Sequence, residues 1–214
     1  PFGKDSTHVD GQHRVVDTQS PKVEQAIDEL QSWNRVLSAL SFGNYQFLLI
    51  PFRKIYDGER KLQFLVCRRD LLDSLLVEHA AFFAQWGFVP DTDPAVILTA
   101  MEFEAQHDRY RAYGYLFGYP KHAVNFFVEA SQSEQETGEF VKRSFFQIPV
   151  YAKESGYFVY ALPEAFQPLS VDSTKYHNAV NVLEGYQALL PKYVDDKGQL
   201  SSIKLFRNWW RKKK

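Results

Sequence analysis

The sequence contains one cysteine and one methionine in 214 residues. A lone thiol, Cys67, can close no internal disulfide and cannot build a four-cysteine zinc site, which excludes disulfide-framework folds and is compatible with the cytoplasm. No run approaches the roughly 18 uncharged apolar residues that a membrane-spanning helix needs, so the body is expected to be soluble. An excess of one charge is missing too. The 25 Lys and Arg against 26 Asp and Glu leave −1, which gives no global attraction to nucleic acid or acidic membranes and no clear signal of nucleic-acid binding. The serine elbow Gly-x-Ser-x-Gly, the phosphate loop Gly-x-x-x-x-Gly-Lys-Ser/Thr and the dinucleotide pattern Gly-x-Gly-x-x-Gly are all absent, so no familiar acyl-transfer or nucleotide chemistry, and no cofactor, is indicated.

What the chain has in abundance is aromatic side chains: 18 Phe, 12 Tyr and 4 Trp, in a composition that is 45% apolar. That is ample for a packed core and excludes global disorder and collagen-like classes. The length fits one domain, or one domain with a tail. The chain opens at Pro1 without an initiator Met, as expected of a processed or excerpted product that could have lost a targeting segment, and this leaves the localisation open. Residues 1–20 are polar, carry Gly3 and Gly11, and show no apolar period, so a flexible lead-in is expected there.

Periodicity then sets the elements. Ser20-Pro21 is a good helix start, and Val23, Ala26, Ile27, Leu30, Trp33, Val36, Leu37 and Leu40 recur at three and four residues until Gly43. Two β-rich runs, Asn44 to Tyr56 and Glu59 to Arg68, flank Asp57-Gly58, the composition of a two-residue hairpin turn. In that register Gln63 faces Phe52 and Phe64 faces Pro51, and Pro51, which has no N–H, demands an edge or a bulge. Asp70 is placed to cap a helix running from Leu71 to about Trp86, ending at Gly87. Asp93-Pro94 starts another through Phe103, with a break or continuation near His107. Pro120 begins a helix carrying Ala123, Val124, Phe126, Phe127 and Ala130, and Ser131 to Gly138 reads as a solvated acidic loop or frayed end. A second hairpin is expected from Phe145–Tyr151 and Tyr157–Leu162 around Lys153, Glu154, Ser155 and Gly156. Asp172-Ser173 then caps a long helix that Pro191 ends or kinks.

Strands that come in pairs, separated by helices, argue against a doubly wound parallel sheet. The expectation is an α+β fold, a single domain over residues 21–198 in which the two hairpins join into one antiparallel sheet covered by several helices. Residues 199–214 would form a basic aromatic helix or tail.

The richest polar cluster is Glu102, Glu104, His107, Asp108, Arg109 and Arg111. Glu104 and His107 stand three apart, the Glu-x-x-His spacing that puts a carboxylate and an imidazole on one helical face. A di-iron site needs that pattern twice, and the chain has it once, so no metal is assigned. His8, Asp10 and His13 lie close together in the lead-in, where unfolded ligands would have to be ordered on binding, so no metal is assigned there either. Cys67, followed by Arg68 and Arg69, has cationic neighbours that could activate a thiol but also ends an apolar run, and a core role is expected.

From Arg109 to Phe127 the chain carries Gly114, Leu116, Gly118, Tyr119, Pro120, Val124 and Phe127. This Gly-x-Leu-x-Gly-Tyr-Pro followed by Val-x-x-Phe resembles a corner between two helices found in some uncharacterised microbial families. The resemblance covers about a tenth of the chain and implies no activity. A functional version of the corner would have Tyr119, Lys121 and His122 line a ligand cleft beside Arg109 and Arg111. At the C-terminus Trp209, Trp210, Arg211, Lys212, Lys213 and Lys214 combine indoles with positive charge, a composition suited to weak contact with a membrane surface.

Three functional expectations follow. The leading one is a binding or interaction module with an aromatic-lined groove between sheet and helices, for an unknown ligand or protein partner. The second is an enzyme, acting by general acid-base chemistry or as a single-metal hydrolase, with a carboxylate-histidine-arginine site at Glu102, Glu104, His107 and Arg109, which His122 could join. The third is peripheral membrane association through the C-terminal segment.

Overall fold

Proline punctuation places three of the helices. In the computed structural model, which describes residues 6–9, 13–16, 19–40, 42–56, 59–150 and 157–211, Pro21 opens α1 (Pro21–Ala39), Pro94 opens α4 (Pro94–Phe103) and Pro120 immediately precedes α6 (Lys121–Thr137). A proline loses nothing at a helix start, where its missing N–H would have no partner anyway. Asp93 caps α4 as expected, its Oδ1 accepting from the Ala95 amide at 2.8 Å. Ser20 does not use its hydroxyl; its carbonyl accepts from the Val23 and Glu24 amides instead.

Two other caps depart from expectation. The helix given to Asp70 starts two residues earlier, as α2 (Arg69–Glu78), and breaks at His79 before α3 (Ala80–Phe83) and a short 3-10 turn at Ala84–Trp86. Asp70 turns back to the Arg68 guanidinium, which holds its carboxyl below the usual carboxylate range. Asp172 lies in the first turn of α7 (Ser170–Leu189) rather than at its cap. The segment expected to be an acidic loop is the end of α6, which reaches Thr137 before Gly138 stops it at φ 73°. Glu134 there binds the Val141 amide and the Arg143 guanidinium, so its charge anchors the next strand.

The lead-in is not featureless: Ser6–Val9 (β1) and His13–Val16 (β2) pair antiparallel, and β-branched Thr7, Val9, Val15 and Val16 favour that state. Asp10 lies outside the described residues. The long hairpin is β3 (Tyr45–Tyr56) with β4 (Glu59–Arg68), and Tyr56 pairs with Glu59 around a turn whose Asp57-Gly58 lies outside the described residues. Pro51 forces the anticipated bulge. The register shifts between Pro51 and Ile55, so that Pro51 faces Leu62 and Ile50 faces Gln63, two residues away from the expected pairing. A shift of two leaves every side chain on its expected face, whereas a shift of one would have reversed them all. The second hairpin is β5 (Arg143–Pro149) with β6 (Tyr157–Pro163), with Phe146 opposite Tyr160; Lys153 to Gly156 lie outside the described residues.

The α+β class holds, but the ribbons do not merge into one sheet. β3–β4 and β5–β6 are separate two-stranded sheets, one in each of two compact units, residues 1–116 and 117–214. The reason is local: each ribbon meets helices from its own stretch of chain. In the first unit α4 packs on β3, burying Leu48, Ile50 and Leu98 with Leu65, Cys67 and Tyr113 around them. In the second, α6 lies on β6 and α7 on β5, around Ala123, Ile148, Tyr160 and Leu162. These core side chains pack at the sheet–helix junctions of each unit. α5 (Gln106–Leu116) completes the first unit and α8 (Ser202–Arg211) the second. Among the described residues no helix is long and apolar enough to cross a membrane.

Candidate functional site

The bulge in β3 strands backbone groups that the ladder would otherwise pair, and buried polar groups left unpaired are costly. Glu102, only 4% exposed near the end of α4, accepts the Arg53 amide on Oε1 at 2.8 Å. Its Oε2 accepts the Tyr113 hydroxyl at 2.5 Å. Arg60 serves the carbonyl side of the same bulge, donating from Nη1 to the Phe52 and Arg53 carbonyls at 2.7 and 2.9 Å while lying over the Phe103 ring. Burial and the carboxylate together push the Tyr113 phenol well above its ordinary value.

The Glu-x-x-His reading fails on geometry. α4 ends at Phe103 and α5 begins at Gln106, so Glu104 and His107 do not share a helical face. Glu104 sits at the break: its carboxylate accepts from the Trp86 indole at 2.9 Å, and its carbonyl accepts from Arg53 Nη1 at 3.0 Å and Arg109 Nη1 at 3.1 Å. Arg109 therefore seals a helix end. Arg111 reaches the Tyr115 hydroxyl at 3.5 Å, and His107 lies edge-on to Tyr110 with a buried Nε2 that has no hydrogen-bond partner. Among the described residues no group of three or more potential ligands could hold a metal ion.

The remaining expected residues fall in the second unit. Tyr119 packs on Phe158 and Tyr160, and burial raises its phenol pKa. Lys121 is exposed. His122 stacks nearly parallel on Phe166 at 5.2 Å, and its Nε2 lies 3.3 Å from Asp172 Oδ1 without forming a hydrogen bond. Asp172 has no exposed side-chain surface; Oδ1 accepts the Tyr160 hydroxyl at 2.5 Å and Oδ2 accepts the Leu169 amide at 2.7 Å. The Tyr160 phenol is pushed far up, first by burial and then by this carboxylate. Sequence reasoning found His122 but missed its neighbours, because Asp172 read as a helix cap and Tyr160 as one more strand aromatic.

The most exposed arrangement is on β4. Opposed residues of an antiparallel pair share a face, so Phe47, Leu49 and Pro51 of β3 lie on one side with Val66, Phe64 and Leu62 of β4. All six are apolar, on the side away from Leu48, Ile50 and Leu65. The β3 members are half-buried, whereas Leu62, Phe64 and Val66 are 39%, 55% and 51% exposed. Phe47 and Phe64 stack at 6.0 Å. Cys67 takes the other face, half-buried, and desolvation raises its thiol pKa against the opposing pull of Arg69, which makes it a packing residue rather than a nucleophile.

At the C-terminus, Leu205 is buried and Ile203 is exposed on α8; the Trp209 and Trp210 side chains and residues 212–214 lie outside the described residues. No family model, curated protein or solved structure matches the chain.

Proposed function

We propose that the chain is a non-catalytic interaction module that docks a partner on the open β4 side of the β3–β4 ribbon. One observation carries this reading: the α4 side of the ribbon is packed around Leu48, Ile50 and Leu65, and on the other, all-apolar side Leu62, Phe64 and Val66 stand in solvent. A half-buried strand ordinarily alternates apolar and polar residues, so a second apolar face is paid for in solubility and aggregation risk unless something covers it. The polar clusters support the same reading. Both oxygens of Glu102 and of Asp172 are engaged by internal tyrosine and amide donors, and Glu104 closes a helix end. Side chains so engaged account for fold architecture rather than proton transfer to a substrate.

The test is bis-ANS, an apolar-surface dye, added to the folded protein. Strong fluorescence is expected from the parent and a drop of several-fold from Phe64→Thr/Val66→Thr. The variant should melt like the parent, because exposed positions change stability by only about 0.5 kcal/mol. Unchanged dye binding, or a large loss of stability, would remove the open face as a docking surface.

A further inference from the structure

Resting on that docking reading, we infer that the partner at β4 is the same strand of a second copy of this chain, paired antiparallel edge to edge. The apolar strip alone is too narrow for a protein partner. Leu62, Phe64 and Val66 stand in single file, and an interface resting on side-chain area takes roughly 800 Å² per partner. Strand addition asks for less area, because main-chain hydrogen bonds carry part of the affinity.

The ladder fixes where such bonds can form. Opposed residues of an antiparallel pair alternate between those that exchange both bonds and those that exchange none, whose N–H and C=O point away from the partner strand. The Arg69 amide donates to the Asn44 carbonyl at 2.8 Å, one step beyond Tyr45 opposite Arg68. The pairs without bonds are therefore Tyr45–Arg68, Phe47–Val66, Leu49–Phe64 and Pro51–Leu62. Leu62, Phe64 and Val66 thus send their backbone groups outward from β4 while their side chains stand in solvent. Among the described residues no third strand pairs with β4, and no backbone bond outside the ladder involves these three.

The two edges of the ribbon differ. On β3 the outward position at Pro51 has no N–H, the outward Tyr45 amide is taken by the Phe42 carbonyl at 3.1 Å, and the extra residues of the bulge all lie on that strand. Proline and bulges blunt an edge. β4 runs for ten residues without either, so it is the edge open to addition, and a second copy brings the complement: an unblunted edge of equal length. A two-fold axis through Gln63 sets Leu62 opposite the second copy's Phe64, Arg60 opposite its Val66 and Lys61 opposite its Leu65, with no like charges opposed. An axis through Phe64 would oppose Arg60 to Arg68. The assembly closes at two copies, because the outer edges of the joined sheet are the blunted β3 strands.

Sedimentation velocity of the full chain should show a monomer–dimer equilibrium and no larger species. Val66→Pro removes an outward N–H and no ladder bond, and should weaken the dimer at least about tenfold. If that variant does not fold, cross-linking decides alone. In a Cys67→Ser background, Gln63→Cys sets two thiols across the axis at a pair that exchanges no bonds, where Cα atoms lie about 4.5 Å apart, within disulfide reach. Mild oxidation should link Gln63→Cys at least about fivefold faster than Lys61→Cys, which faces Leu65. A chain still monomeric at about 100 μM, a dimer unweakened in folded Val66→Pro, assembly beyond two copies, or equal linking of the two cysteine variants overturns the inference. If the bis-ANS response still depends on Phe64 and Val66 in any of those cases, the docking reading stands with a different partner and only the paired copy falls. If that response is also indifferent to them, both fall.

Discussion

Among the described residues each unit holds one buried carboxylate, and the two are satisfied alike. Glu102 binds a backbone amide with one oxygen and the Tyr113 hydroxyl with the other; Asp172 does the same with the Leu169 amide and Tyr160. The difference lies in what each amide belongs to and what else stands nearby. Glu102 repairs a strand bulge created at Pro51, whereas Asp172 reaches back along its own helix to the residue that precedes it. Asp172 also has the His122 imidazole within 3.3 Å. A carboxylate that mends a distant defect ties α4 to β3, and one that mends its own helix start ties α7 to β6 only through the tyrosine. In both places one carboxylate oxygen repairs the backbone and the other holds a tyrosine hydroxyl.

Removing the carboxylates should have the largest effect. Asp172→Ala strands a buried phenol and a helix-start amide, and Glu102→Ala strands a phenol and the bulge amide, so each should lose about 3 kcal/mol of stability. Urea unfolding measures the loss, and hydrogen exchange by mass spectrometry should place it within residues 117–214 for the first and within 1–116 for the second. Equal loss of protection in both units for either variant would mean that the two centres are not independent. Glu102→Gln and Asp172→Asn should cost less, because an amide oxygen still accepts the backbone N–H and the new NH2 can donate to the phenol.

The tyrosines sharpen the parallel. Tyr113→Phe and Tyr160→Phe each remove a hydrogen bond to a carboxylate, so about 1.5–2 kcal/mol should be lost at neutral pH. Both phenols titrate above their ordinary value of about 10, so folding favours their protonated forms. Their contribution is whole below about pH 10 and declines as pH rises through the raised folded-state values. The parent's urea midpoint should therefore fall between about pH 9 and pH 11.5, and each Phe variant should flatten that fall. An identical alkaline slope in parent and both variants would show that neither phenol is held as described.

How much of this was legible beforehand depends on whether a residue acts through its neighbours in sequence or across the fold. Pro21, Pro94 and Pro120 act on their own backbone, and the helices they start were readable. Pro51 announced a bulge for the same reason, but the number of extra residues depends on how β4 re-pairs beyond it, which no local rule supplies. The Glu104–His107 spacing misled because it presumed one continuous helix, and the break is held by Arg53 and Trp86, 51 and 18 residues away from Glu104. The two apolar faces of β4 were visible as an unbroken Phe64-Leu65-Val66 run, but which face α4 would take was not. The site residues named from sequence were polar clusters, and their hydrogen bonds are mostly architectural.

The smallest expected effect tests the imidazole that stands beside the second centre. His122 is 24% exposed on its side chain, stacks on Phe166, and lies near Asp172 without a hydrogen bond. If the imidazole is a packing plate on Phe166, His122→Leu keeps an apolar cover and should cost less than about 1 kcal/mol, with the Tyr160–Asp172 bond intact. The alkaline profile gives the independent readout: His122→Leu should keep the parent's slope, because the phenol's raised titration comes from burial and from Asp172 rather than from the imidazole. A loss as large as that of Asp172→Ala, or a flattened alkaline slope, would make His122 a working third member of the centre. The second unit would then hold a coupled histidine–aspartate–tyrosine relay, and the parallel with Glu102 would end there.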